Sequence, residues 1–259
     1  MGGRAIAAAG GSGGALRFVA IGDSLTEGKG DVHPDGTPRG FADLLAASLR
    51  QVHPRAVYAN LARPSVRAAE VLGDQVPHAV DSRPDLVTAV AGVNDVIALR
   101  VPAAAVAVRL DEIIGGLRAG APDATIVTAT LPDLGHLSWV AARWRSRLER
   151  LNAATVAAAA RHGALVVDLW NAAPLTREEL ALDRVHPSPL GHLRIARAFA
   201  RTLDLPAPAP AYLSTAPRLA QLQRVYRTAV VAPRFVAKRM ARRALIAGQP
   251  PKRPDLAEI

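Results

Sequence analysis

Ser24 stands at the end of the apolar run Phe18-Val19-Ala20-Ile21, within the string Gly22-Asp23-Ser24-Leu25. A serine hydroxyl is a weak nucleophile until a base takes its proton, and that base works best when a third group orients it. Far downstream, Leu182-Asp183-Arg184-Val185-His186-Pro187 sets a carboxylate three residues before a histidine, just ahead of a helical pattern. Ser24, His186 and Asp183 are therefore candidates for nucleophile, base and orienting acid in an acyl-transfer reaction. Taken singly, each has an ordinary reading: Ser24 as a helix cap, Asp183 as an exposed loop carboxylate. A fold that brings distant strand ends to one edge would join them.

The chain carries the pattern of such a fold. Five apolar runs of strand length recur: Leu16–Ile21, Ala56–Leu61, Leu86–Ala91, Thr125–Thr130 and Leu165–Leu169. Each is rich in Val, Ile, Leu or Ala with little polar alternation, as in parallel strands covered on both faces. Helical spacing fills the intervals Gly40–Gln51, Val66–Val80, Pro102–Ala119 and Ser138–Arg161, and Ser188–Leu203 closes the series with Ser188 as N-cap and Pro189 in the first turn. Alternating strands and helices predict an α/β fold, a three-layer α/β/α sandwich on a mostly parallel five-stranded sheet. In such sheets, loops after the strands meet at one edge. Gly22-Asp23-Ser24, Asn60 to Ser65, Gly92-Val93-Asn94-Asp95 and Asp183 to His186 all fall at or beyond strand ends, so four polar blocks converge there.

Composition narrows the chemistry. The 259 residues contain no cysteine, which excludes disulfides, thiolate metal ligands and a cysteine nucleophile. No His/Asp/Glu spacing marks a metal site, and neither a metal nor a cofactor is expected. His33, His53, His78, His136, His162 and His192 carry no motif and read as surface or helix-end residues; Gly28-Lys29-Gly30 reads as a flexible loop. The net charge of +10 is uneven: residues 206–259 hold ten Lys/Arg against two Asp/Glu, a net of +8, and the rest of the chain carries +2. Three segments follow: a flexible Gly/Ala-rich leader at 1–15, a domain at 16–205, and a tail at 206–259. The tail begins with the stiff linker Pro206-Ala207-Pro208-Ala209-Pro210. It continues as one or two basic amphipathic helices over Tyr212–Ile246, broken near Pro233, and ends in a flexible proline-rich stretch, Gln249–Ile259. The leader is a poor signal peptide and no window reaches the length of a membrane span, so a cytoplasmic protein is expected.

Gly-Asp-Ser-Leu at 22–25, Gly-x-Asn-Asp at 92–95 and Asp-x-x-His at 183–186 occur in the order, spacing and strand context of the SGNH hydrolase superfamily (the GDSL lipase/esterase family), which the chain resembles over residues 16–203. The resemblance extends more loosely to a bacterial branch with a basic C-terminal extension. It implies a flavodoxin-like sheet and a cofactor-free serine esterase or lipase. In it Ser24 is the nucleophile, His186 the base and then acid, and Asp183 the orienting group. Ser24 N–H and the Asn94 amide form the oxyanion hole, each donor worth roughly 3–4 kcal/mol of barrier. Asp23, Gly92, Asp95 and Asn60 support the site. The sequence departs from the family at one place. The third oxyanion donor is usually a glycine five residues after Asn60, and here that position is Ser65, which keeps the N–H but adds a side chain after Pro64. The substrate implied is a short or medium acyl ester or a lysophospholipid-like ester. The alternatives are an O-acetylesterase on a carbohydrate or metabolite and, from another class, a catalytically weak module docking a membrane or partner through its basic tail. For residues 212–246 the readings are packing on the domain, peripheral contact with anionic membrane and, last, nucleic acid, for which no aromatic platform or motif speaks.

Overall fold

The computed structural model describes residues 14–33, 36–97, 101–137, 142–209 and 251–258. The leader through residue 13 and the basic helical stretch expected at 212–246 lie outside them.

Five strands fall on the apolar runs: β1 (Arg17–Gly22), β2 (Val57–Asn60), β3 (Leu86–Val90), β4 (Thr125–Ala129) and β5 (Leu165–Val167). They pair in parallel. Because side chains alternate across a strand, β1 feeds both layers. Phe18 and Ala20 join one apolar cluster, Val19 and Ile21 the other. All four are fully buried, which is why β1 shows no polar alternation. On one face lie α2 (Phe41–Val52) and the helix α8 (Pro189–Thr202), joined by the stacked rings of Phe41 and Phe199 at 4.8 Å. On the other lie α3 (Ala68–Glu70), α4 (Val76–Asp81), α6 (Ala103–Gly120) and α7 (Arg145–His162). Two short helices, α1 (Ser24–Glu27) and α5 (Val93–Ile97), begin directly after β1 and β3. Ser188 caps α8 as expected, its side chain accepting from Gly191 N–H at 3.4 Å. Among the described residues no helix is long and apolar enough to cross a membrane.

Three local expectations change. A sixth strand, β6 (Arg253–Glu258), pairs antiparallel with β2, so the order is β5-β4-β3-β1-β2-β6. Its sequence, Arg-Pro-Asp-Leu-Ala-Glu, lies in the stretch expected to be flexible. Proline and alternating charge suit an edge strand, and side chains fix this one. Lys252 pairs with Asp43 of α2 at 2.6 Å, and Arg253 lies over the Tyr58 ring. The helix expected over Val66–Val80 is interrupted by a π-turn at Val71–Gln75 between α3 and α4. The Gly28-Lys29-Gly30 loop is pinned. Its partner segment Asp31/Arg39 is a buried bidentate ion pair at 3.1 and 3.2 Å. Gly30, at φ +109°, lies so close to Pro187 that an added Cβ would meet its carbonyl oxygen at 2.0 Å.

Candidate active site

β1 ends at Gly22, and Asp23 turns the chain into α1. The Asp23 carboxylate caps that helix, accepting from Leu25 N–H at 3.0 Å, and this sets Ser24 in the first helical position at the sheet edge. Gly22 has φ +151°, and a Cβ there would meet Val90 O at 2.3 Å, so only glycine fits between β3 and the turn.

His186 comes from a loop built independently of β1. Ala181 N–H donates to His186 O at 2.8 Å and Ser188 N–H to Glu179 O at 2.9 Å. Glu179 is paired in turn with Arg194 of α8 at 2.7 Å. The loop reaches the β1 end through Gly30 and Pro187. The result is a continuous relay: His186 Nδ1–H donates to Asp183 Oδ2 at 2.6 Å, leaving Nε2 to accept from the Ser24 hydroxyl at 2.9 Å. Burial pushes the Asp183 carboxyl up. The hydrogen bond and charge of His186, with backbone donors at Val185 and His186, outweigh burial and hold it at about 2. Asp183 is thus an anion wherever His186 needs one.

Asn94 arrives on α5 after Gly92, whose φ of +102° is a conformation that side chains strain to adopt. Its amide nitrogen donates to Val66 O at 2.8 Å and, more weakly, to Asp23 Oδ2 at 3.4 Å. Both amide hydrogens therefore have protein acceptors. The N–H groups of Ser24 and Ser65 have no acceptor among the described residues. Ser65 is exposed with φ +64°. This left-handed conformation is the one glycine takes without strain, a physical reason for glycine at that position.

The supporting residues sit where backbone must be fixed. Asn60, fully buried, donates to Thr26 O at 2.9 Å and accepts from Ala62 N–H at 3.1 Å, tying the end of β2 to α1. Asp95 accepts from Ala68 N–H at 2.9 Å, and burial raises its carboxyl. Burial, against the Leu25 hydrogen bond and with the charges of Asp95 and Glu27, raises Asp23 to about 7. A cleft of about 230 Å³ opens beside Asp95, walled by Val96, Val101, Val106 and Leu151; neither Ser24 nor His186 lines it. Among the described residues no group of three His, Cys, Asp or Glu could hold a metal ion.

Two buried residues here escaped the sequence reading. Gln75, on the π-turn, grips Gly22 from both sides: Gly22 N–H donates to its Oε1 at 2.7 Å and its Nε2 donates to Gly22 O at 2.9 Å. The signal was a polar residue at Val71 + 4 on an apolar face. His192, expected near the surface, is fully buried. Its Nδ1 accepts from Phe41 N–H at 3.2 Å and its Nε2–H donates to Lys29 O at 3.1 Å. It thereby clamps the Lys29 loop to α2. Burial drives its pKa down to about 4. Its spacing with Ile195 and Phe199 already placed it on the apolar face of α8.

Comparison with solved structures gives the same layered fold at low identity. A catalytic mutant of an acetylxylan esterase from Geobacillus stearothermophilus aligns with TM-score 0.63 at 20% identity, over 76% of this chain and 98% of that one. A lipase from a goat rumen metagenome aligns at 0.61 and 17%, over 73% and 97%. A lipase/acylhydrolase from Enterococcus faecalis aligns at 0.58 and 20%, over 74% and 98%. A comparison with curated sequences gives no match. A family model covers residues 20–194, from within β1 to within α8. With every block of the sheet edge inside that span, the chain belongs to the GDSL-like lipase/acylhydrolase family.

Proposed function

We propose that the protein hydrolyses carboxylic esters through Ser24, His186 and Asp183. The unbroken relay from Asp183 through His186 to Ser24, at 2.6 and 2.9 Å, carries this reading. Ser24 Oγ attacks the ester carbonyl as His186 Nε2 takes its proton. Asp183, ionised at any pH above about 2, balances the imidazolium that forms. The oxyanion develops against the unengaged N–H groups of Ser24 and Ser65. Asn94 joins them by giving up its longer bond to Asp23 and keeping the shorter one to Val66 O. His186 then protonates the departing alcohol, and water repeats the sequence to release the acid.

The test is hydrolysis of p-nitrophenyl esters from acetate to palmitate by the wild-type chain and by Ser24→Ala. Ester hydrolysis that disappears in Ser24→Ala supports the reading. Hydrolysis that persists in Ser24→Ala, or none at any chain length, overturns it. An optimum at acetate alone favours the O-acetylesterase alternative; a longer optimum favours an acyl-ester lipase.

A further inference from the structure

The Asp23 carboxyl joins the nucleophile turn to the oxyanion hole. Its Oδ1 accepts from Leu25 N–H at 3.0 Å and so holds the turn of Ser24. Its Oδ2 accepts from the Asn94 amide at 3.4 Å. That second bond takes a hydrogen the oxyanion needs, because Val66 O occupies the other Asn94 amide hydrogen at 2.8 Å. One carboxyl oxygen therefore fixes where the nucleophile stands, and the other competes with the reaction for a donor.

The surroundings of Asp23 disfavour its charge. The residue is 2% exposed, and no cation pairs with it among the described residues. The charges that act on it are both acidic, Glu27 from α1 and Asp95 from α5. Lys29 and Lys252 act on Glu27. The groups on the remaining sides are uncharged: Asn94 on α5, Gln75 of the π-turn on Gly22, and Asn60 at the end of β2 on Thr26. His186 stands one residue away, on the Ser24 hydroxyl. Burial, with the two like charges and against the Leu25 hydrogen bond, raises the carboxyl to about 7. Its proton is thus exchanged near neutral pH.

The two forms differ in what they allow. An ionised Asp23 keeps the Asn94 hydrogen and sets a negative charge about 5 Å from the growing oxyanion. A proton on Oδ2 removes that charge and weakens the oxygen as an acceptor, while Oδ1 still caps α1. We propose that Asp23 is a positioning residue for the oxyanion hole, withholding Asn94 while its carboxyl is ionised and releasing it when protonated, so that ester hydrolysis runs on the protonated form. This rests on the ester-hydrolase reading and adds the control of its oxyanion donor.

The experiment is the pH profile of kcat/KM on soluble p-nitrophenyl acetate for the full chain and its variants. The wild-type rate should rise as His186 loses its proton and fall again as Asp23 ionises, with the falling limb near pH 7. Asp23→Asn places a neutral amide where the protonated carboxyl stands and keeps an oxygen for Leu25 N–H. It should lose the falling limb and exceed wild type at pH 9 by about ten-fold or more. Asp23→Ser also caps the helix without charge, and should lose the limb too if the asparagine variant does not fold. Asp95→Asn removes one like charge and should carry the limb to lower pH, which a purely structural Asp23 would not produce. Should neither Asp23 variant fold, the assigned Asp23 carboxyl carbon in the wild-type NMR spectrum decides: titration near 7 supports the proposal, and titration below 5 overturns it. A wild-type profile without a falling limb, or a limb retained by both Asp23 variants, overturns the proposal and leaves the ester-hydrolase reading standing. Absence of wild-type turnover at every pH overturns that reading, and the proposal with it.

Discussion

Gln75→Met removes the grip on Gly22 while keeping the side-chain volume in the core. The two lost bonds differ in consequence. The Gly22 N–H loses its acceptor at 2.7 Å inside a fully enclosed site, and a buried orphaned donor costs about 1–3 kcal/mol. The Gly22 carbonyl loses Nε2 at 2.9 Å but keeps Arg63 N–H at 3.4 Å, so only the net value of one bond, about 1 kcal/mol, is at stake. Together the variant should lose about 2–4 kcal/mol. For a domain of this size that is a fall of roughly 5–15 °C in Tm. Because Gly22 precedes the turn that presents Ser24, kcat on a soluble ester should fall more than KM changes, measured well below the variant's Tm. Gln75→Glu keeps the acceptor for Gly22 N–H at the cost of burying a carboxyl. It should recover part of kcat even where it recovers no stability. Urea unfolding and steady-state kinetics on the three proteins make the test. A stability loss below 1 kcal/mol, or a loss of stability with kcat intact, would show that the π-turn does not hold the nucleophile turn in place.

Three further outcomes follow from the same geometry. Ser65→Gly should stabilise the chain by about 0.5–1 kcal/mol in urea titration, since relief of a left-handed serine exceeds the entropy glycine adds to the unfolded chain; a destabilised variant would contradict the φ of +64°. Asp183→Asn should keep the fold but lower kcat by several orders of magnitude at neutral pH, because an amide cannot balance the imidazolium; a loss of less than ten-fold would remove Asp183 from the relay. His192 makes the fold sensitive to acid. With its folded pKa at about 4 against 6.5, the unfolded chain binds a proton that the folded one refuses between those values. Its contribution is therefore complete above about pH 6.5 and declines by about 3 kcal/mol as pH falls to 4. Asp183 continues the loss from 3.8 towards 2, while Asp23 runs the other way between 7 and 3.8. Urea midpoints at pH 6.5 and 4.5 should draw together for wild type and His192→Gln as pH falls; a constant gap would refute this role.

The strands and the main helices were legible because their cause is local. Burial on both faces forces near-continuous apolar runs such as Phe18–Ile21, and helical spacing marks the crossovers. The blocks at 22–25, 92–95 and 183–186 were legible for a related reason: an edge built by five parallel strands leaves few places for polar residues after strands. The sequence also pointed to Asp183 and His186 as a unit, being three residues apart on one loop. Other features depended on partners distant in the chain. β6 is a short charged stretch whose strand conformation comes from Val57–Asn60, Asp43 and Tyr58 far upstream. The π-turn spends one extra residue to aim Gln75 at Gly22, and no propensity encodes an aim. The direction of the Asn94 amide, towards Val66 O and Asp23, and the left-handed twist of Ser65 were equally invisible, since each is set by the fit of loops to one another. His192, expected at the surface, shares the helical face of Ile195 and Phe199, and its partners, Phe41 N–H and Lys29 O, come from another helix and another loop. Residue types and periodicity determined which elements form and which side chains reach the edge; only packing decided which donors there remain unengaged, because that depends on distances of a few tenths of an ångström between segments that never meet in sequence.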